Sequence, residues 1–136
     1  MKSILRSVAA IISGFIVITL LSLGADAVIM NLSPELFTGD GSTKNFVPLI
    51  FALLYSCFFY AAGGYVTAWI AQRFEVLHAF ALALLLLVMT ILATVQMFDT
   101  APLWWHLAIL ILIIPSVMIG GYLRSSSKRK FYPLKA

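Results

Sequence analysis

Residues 76–98 read VLHAFALALLLLVMTILATVQMF, an uninterrupted run without Asp, Glu, Lys or Arg. At about 1.5 Å of rise per residue, such a run forms a helix long enough to cross the ~30 Å hydrocarbon core of a bilayer. Three further apolar stretches occupy residues 7–30, 46–72 and 103–123, and only Asp26 interrupts them. The sequence therefore predicts an all-α membrane protein, a four-transmembrane-helix bundle in a single integral membrane domain over residues 1–136.

The overall composition also excludes a water-soluble globule. Hydrophobic residues make up 62% of the 136 residues and charged residues 10%, whereas soluble domains average about 45–50% and about 25%. Cys57 is the one cysteine, which excludes an intramolecular disulfide, a CxxC redox motif and a thiolate metal cluster.

The positive charges follow the predicted topology. Of the nine Lys and Arg residues, all except Lys44 lie before the first stretch, between the second and third, or after the fourth. Four acidic residues, Asp26, Glu35, Asp40 and Asp99, lie on the opposite side. The positive-inside rule then places both termini in the cytoplasm.

The net charge of +4 is concentrated in a basic tail at residues 124–136. We expect its cations to contact anionic lipid headgroups, each contributing about 1 kcal/mol near the surface. These residues are Arg124, Lys128, Arg129 and Lys130. A membrane-bound tail explains the charge without a nucleic-acid partner.

A second interpretation of the first stretch stays open. Its basic start, its apolar run and Ala25-Asp26-Ala27 are also typical of a secretory signal with a cleavage site. Cleavage would leave three spans.

An internal similarity predicts two helical hairpins. Tyr60-Ala-Ala-Gly-Gly-Tyr65 in the second stretch matches Val117-Met-Ile-Gly-Gly-Tyr122 in the fourth, and an arginine follows each. Because both hairpins start on the same side, the halves would form a parallel repeat about an axis along the membrane normal.

Small residues mark the predicted helix contacts, since helices in lipid associate through close approach and a few hydrogen bonds. The predicted packing residues are Gly14, Gly63, Gly64, Ala68, Ser116, Gly120 and Gly121.

Polar side chains recur at helical spacing in the first two stretches. They are Thr19, Ser22 and Asp26, followed by Ser56 and Tyr60. Packing explains these faces, since hydroxyls can bond to their own helix, and a solute pathway is the alternative. Asp26 and Asp99 are either solvated interface residues or a carboxylate pair at an outer vestibule.

No catalytic motif such as HExxH, GxSxG or a P-loop occurs, so we expect no enzyme activity, no cofactor and no metal. His78 and His106 lie near opposite ends of the predicted bundle and could not clamp one macrocycle. A pigment held by a single histidine remains open.

Residues 62–71 (AGGYVTAWIA), 78–82 (HAFAL), 102–105 (PLWW) and 115–124 resemble a group of uncharacterised small bacterial four-span inner-membrane proteins. Arg6-Ser7 and Gly14 are similar to the opening of that group, whereas Ala83 stands where the group often has Gly. The resemblance implies a fold and a bacterial inner membrane, and it implies no activity.

The main functional hypothesis is an accessory or scaffolding subunit of a membrane complex, in contact with the lipid bilayer and with other membrane subunits or further copies of itself. The alternative is a homo-oligomeric transporter or channel for a small solute or ion, with the polar face of the first two stretches lining its path.

Overall fold

The structure, a computed structural model, describes residues 2–36, 43 and 45–131. Within these residues it has helices α1 (Lys2–Leu32), α2 (Phe46–Ala71), α3 (Glu75–Gln96) and α4 (Leu103–Phe131), with short 3₁₀ turns at Pro34–Leu36 and Phe98–Thr100. All four helices are long and apolar enough to cross a membrane. The prediction of an all-helical, multi-pass membrane protein is confirmed. Lys44 and Lys135 of the predicted charge pattern lie outside the described residues.

Contacts between neighbouring helices define two ends of the bundle. Arg6 near the start of α1 donates to the Ile70 carbonyl near the end of α2, and Phe98 after α3 stacks on His106 at the start of α4. We call the end with the start of α1 and residues 72–74 the basic end. The end that carries residues 33–36, Thr43, Asn45 and residues 97–102 is called the loop end.

The connection between α2 and α3 is only three residues long. Gln72 has a φ of 59° and Phe74 a φ of 49°, so the chain turns through the left-handed region twice. The Gln72 N–H donates to the Ala68 carbonyl at 3.3 Å and closes the last turn of α2. Because the turn is this short, the end of α2 and the start of α3 share the basic end.

The most extensive helix contact joins α2 and α4, which pack in parallel with a constant register of 56 residues. The Trp105 indole donates to the Leu49 carbonyl at 3.3 Å, and the Lys128 ammonium donates to the Gln72 carbonyl at 2.8 Å. Both pairs are separated by 56 residues. We call this contact the α2–α4 seam.

Glycines allow the close approach along the seam. A β carbon on Gly64 would overlap the carbonyl oxygen of Val117, and one on Gly120 would overlap the carbonyl oxygen of Ala61. The two contacts are reciprocal, because Ala61 and Gly64 of α2 correspond to Val117 and Gly120 of α4 in the 56-residue register. The helix backbones therefore touch, which is the arrangement that favours association in lipid.

The other two helices pack around the seam. On α1, Gly14 lies against Gly63 and Thr67 of α2, and the buried Thr67 hydroxyl donates to the Ala10 carbonyl at 3.2 Å. On α3, Ala79 lies against Gly121 of α4. Helix α3 also contacts α2 and, less extensively, α1.

The buried core is concentrated toward the basic end. Buried residues of α1 end at Ile18 and those of α3 end at Leu86. Residues 19–32 and 87–96 include no buried residue. The part of the bundle near the loop end is consequently loosely filled on the side of α1 and α3.

Helix α4 continues beyond the predicted end of the fourth span. Residues 124–131, predicted as a tail, are helical. Two contacts hold this extension: Ser127 bonds to the Leu123 carbonyl at 2.9 Å, and Lys128 reaches Glu75 of α3 at 3.1 Å. Residues 132–136 lie outside the described residues.

Candidate functional site

A cavity of about 370 Å³ lies at the loop end, between α1, α2 and the start of α4. Its volume is within the range of small-molecule sites, about 300–1,000 Å³. Helix α2 lines it from Pro48 to Tyr60, roughly 18 Å along the helix axis. The cavity therefore reaches from the loop end well into the span.

The cavity lining combines apolar, aromatic and a few polar side chains. The apolar and aromatic ones are Ile29, Met30, Pro48, Leu49, Ala52, Tyr55, Tyr60, Met97, Ala101, Trp105 and Ile109. Hydroxyl groups come from Ser22, Thr43, Ser56 and Thr100 in addition to the two tyrosines. Asp26 is the only charged residue that lines the cavity within the described part of the chain.

The Asp26 carboxylate is held by α2. The Tyr55 hydroxyl donates a hydrogen bond to Asp26 Oδ1, across the antiparallel contact of α1 and α2. This bond fixes the position of the carboxylate at the cavity wall. A carboxylate has about four lone-pair sites, so the second oxygen can accept hydrogen bonds from a ligand.

The loop end is partly covered by Thr43, Asn45 and the turn before α4. The Thr43 N–H donates to the Thr100 carbonyl at 3.1 Å, and the buried Thr43 hydroxyl donates to the Leu36 carbonyl at 2.8 Å. Asn45 donates to the same carbonyl at 3.1 Å. These bonds place Thr43 and Thr100 together in the cavity lining.

The predicted polar face is brought together with one exception. Ser22, Asp26, Ser56 and Tyr60 line the cavity. Thr19 lies outside the lining, and its hydroxyl donates to the Phe15 carbonyl of its own helix at 2.9 Å.

The second carboxylate of the predicted vestibule is elsewhere. Asp99 is exposed and does not line the cavity. Among the described residues, the structure thus places only the Asp26 carboxylate in this site.

Sequence reasoning missed Tyr55, the residue that holds Asp26. It lies one position before Ser56 and so falls outside the four-and-three spacing that picked out Ser56 and Tyr60. A signal was present in the predicted antiparallel pairing of the first two spans, which brings Tyr55 and Asp26 to similar depth.

The two histidines lie at opposite ends. At the basic end, His78 bonds through Nδ1 to the Phe74 carbonyl at 2.9 Å and through Nε2 to the Ser7 hydroxyl at 2.8 Å. His106 is 4% exposed, stacks on Phe98 with ring centroids 5.8 Å apart, and its Nε2 has no hydrogen-bond partner among the described residues. Among the described residues, no three His, Cys, Asp or Glu side chains form a metal-binding group.

The predicted lipid-contact cations have different surroundings at the basic end. Lys128 pairs with Glu75, which is 8% exposed, and Arg124 is half-buried, with a buried Nε that finds no partner in the described part of the chain. Arg129 and Lys130 are exposed. Sequence reasoning missed Glu75. Its partner Lys128 lies in the part of α4 that was predicted to be a tail.

The predicted packing residues all lie in buried positions. Gly14, Gly63, Gly64, Ala68, Ser116, Gly120 and Gly121 are buried. The five glycines each lie so close to a neighbouring helix that a β carbon would collide.

Comparisons with protein-family models, curated proteins and solved structures give no match for this chain. The resemblance to small bacterial four-span proteins therefore stays a prediction.

Proposed function

We propose that this protein is a homo-oligomeric membrane transporter or channel that takes up a small solute or ion in the loop-end cavity. One observation carries the proposal: the Asp26 carboxylate, held by the Tyr55 hydroxyl and the one charged group of the described lining, faces a cavity of about 370 Å³ within a bundle of membrane-spanning helices. Asp26 is exposed near the loop end of α1, and ionisable residues within membrane-spanning helices commonly mark ion or substrate pathways. The four helices of one chain suit a dimer or a small multiple.

The proposed orientation puts both termini in the cytoplasm of a bacterial inner membrane, with the loop end outside. The cations at the basic end support it. To test it, Cys57→Ser chains with a single cysteine at Asn45 or Lys130 are labelled in intact cells with an impermeant maleimide. Labelling of Asn45→Cys alone is expected, and labelling of Lys130→Cys alone would reverse the orientation.

We also propose that the chain is a parallel repeat of two helical hairpins. The reciprocal contacts of Gly64 with Val117 and of Gly120 with Ala61 support this relation. In this register Gly64 corresponds to Gly120, whereas alignment of the two Gly-Gly-Tyr motifs makes Gly63 correspond to Gly120. Helices α1 and α3 depart from this symmetry, because α3 contacts α2 as well as α4.

In the transport hypothesis each polar group has a defined part. The Tyr55 hydroxyl orients Asp26, and the carboxylate attracts a cation or accepts a hydrogen bond from the solute. Ser22 and Ser56 offer further hydroxyl groups along the wall. No bond is made or broken, so no catalytic chemistry is needed.

The test is transport by purified protein in liposomes on a solid-supported membrane. Concentration jumps of sodium, ammonium and benzyltrimethylammonium chloride are applied in turn. At least one solute should give a current with the unmodified chain and with Asp99→Asn, the matched control outside the cavity, and a much smaller current with Asp26→Asn. No current from any solute, or equal currents from both variants, would contradict the proposal.

The accessory-subunit hypothesis is supported by a different observation. Residues 19–32 and 87–96 include no buried residue, which leaves long helix surfaces for another subunit as well as for lipid. Native mass spectrometry of the particle from its own membrane separates the two hypotheses. Multiples of 15.0 kDa favour the transporter, and other polypeptides in fixed ratio favour the accessory subunit.

A further inference from the structure

We propose that the ligand of the loop-end cavity is an amphiphilic organic monocation, an ammonium group attached to an apolar body. This inference rests on the proposed solute-binding function and specifies its substrate class. It follows from the number of charges in the cavity, from the chemistry of the wall and from the cavity volume.

The charge in the cavity favours one positive charge on the ligand. Asp26 is the only charged residue that lines it within the described residues. Its partner Tyr55 is a neutral donor, so the carboxylate has no cation beside it from the described part of the lining. A ligand with a single positive charge complements this site, and an anion would face uncompensated repulsion.

The chemistry of the wall argues against a bare metal ion. Ca²⁺ takes about six to eight oxygen ligands and Mg²⁺ an octahedral set, whereas the cavity offers one carboxylate and scattered hydroxyls. No group of three metal-ligating side chains occurs among the described residues. A dehydrated inorganic cation would lack most of its ligands here.

An organic cation needs only what the wall supplies. Aromatic rings of Tyr55, Tyr60 and Trp105 line the cavity, and aromatic faces attract ammonium groups. Two methionines, Met30 and Met97, also line it, and methionine adapts to ligands of different shape. The apolar part of the ligand then fills the remaining volume, which suits a compact drug-sized molecule.

The experiment measures binding of benzyltrimethylammonium to the full-length protein in detergent by equilibrium dialysis. 4-Phenylbutanoate, a compact aromatic anion, is the matched ligand. We expect the cation to bind and the anion not to bind. Asp26→Asn should weaken binding of the cation about tenfold or more, which corresponds to the loss of about 1.4 kcal/mol.

Three variants locate the site. Asp26→Glu, which restores the charge, should recover most of the affinity, and Asp99→Asn should leave it unchanged. Ala52→Phe places a ring in the cavity wall without changing charge and should abolish binding. Circular dichroism confirms that each variant is folded, so a loss of binding in a folded Ala52→Phe chain supports the site even where Asp26→Asn is unstable.

The outcomes separate this inference from the proposed function. A sodium or ammonium current that depends on Asp26, with no binding of benzyltrimethylammonium, would overturn the substrate class and leave the transport function in place. Binding of the cation that is insensitive to Asp26→Asn and Ala52→Phe would also overturn the inference. Equal binding of 4-phenylbutanoate would show a nonspecific apolar site and overturn it as well.

Discussion

Replacing either glycine of the α2–α4 seam with alanine should destabilise the bundle. A β carbon on Gly120 would lie 2.7 Å from the Ala61 carbonyl carbon, where ordinary contacts begin near 3.4 Å. On Gly64 the distance to the Val117 carbonyl carbon would be 3.0 Å. Since these neighbours are backbone atoms, and the carbonyl oxygens of Ala61 and Val117 lie closer still, relief requires the two helices to separate by about 1 Å.

The size of the effect follows from the lost contact. A gap of about 0.5–1 Å forfeits roughly a quarter to a half of the dispersion energy between facing atoms. Overpacking of a well-packed interior costs about 1–3 kcal/mol. We expect Gly64→Ala and Gly120→Ala each to lower the free energy of unfolding by about 1–3 kcal/mol.

The double variant distinguishes a shared seam from two separate defects. One movement of α4 away from α2 relieves both collisions, so the combined loss should be smaller than the sum of the single losses. Additive losses would mean that the glycines act at independent places.

Gly24 provides a matched control on a lipid-exposed surface. Nothing lies within 4 Å of a β carbon at this position. Gly24→Ala should therefore leave stability unchanged or raise it by up to about 1 kcal/mol through the better helix propensity of alanine.

The assay is unfolding by sodium dodecyl sulfate in mixed micelles, followed by circular dichroism. The expected order of stability is Gly24→Ala at or above the unmodified chain, then the single seam variants, then the double variant. Seam variants as stable as Gly24→Ala would refute the argument that backbone contact at the seam holds α2 and α4 together.

Two further predictions use the same unfolding assay. Lys128→Met removes the cation from the buried Glu75 carboxylate. It should lower the free energy of unfolding by about 1–2 kcal/mol, because a charge-assisted hydrogen bond that is partly exposed to solvent is lost. Arg129→Met, at an exposed position, should change it by no more than about 0.5 kcal/mol, and equal effects of the two variants would show that the ion pair contributes nothing. Thr67→Val removes the hydrogen bond between α2 and α1 and should lower the free energy of unfolding by about 0.5–1.5 kcal/mol. Thr19→Val should lower it less, because the Thr19 hydroxyl bonds within its own helix. The reverse order would exclude a role for the interhelical bond.

The helical spans could be predicted from the sequence because lipid imposes a simple rule on it. A stretch without charge and about 20 residues long must satisfy its backbone internally, and a helix does so. The predicted and observed limits of the second span agree to within a residue, 46–72 against Phe46–Ala71. The fourth helix is longer than predicted because Lys128 finds partners in the α2–α3 connection and on α3, and these exist only in the folded bundle.

The cavity could be predicted only in part, for a related reason. Helical spacing within one span placed Ser22 and Asp26 on a common face, and likewise Ser56 and Tyr60. Spacing does not show how α1 rotates against α2, so Tyr55 was missed. The hydroxyls of Thr43 and Thr100 come from connections, whose positions depend on hydrogen bonds between distant loops.

The constant register of the seam also sets the delay between the synthesis of a residue of α2 and the synthesis of its partner in α4. Partners in the seam are 56 residues apart in the chain, and translation adds about 5–20 residues per second, so each residue of α2 is made roughly 3–11 s before its partner. Rearrangements within a helix take about a microsecond or less. The glycine face of α2 is therefore made seconds before the facing part of α4, and during that interval lipid, α1, α3 or another protein can cover it.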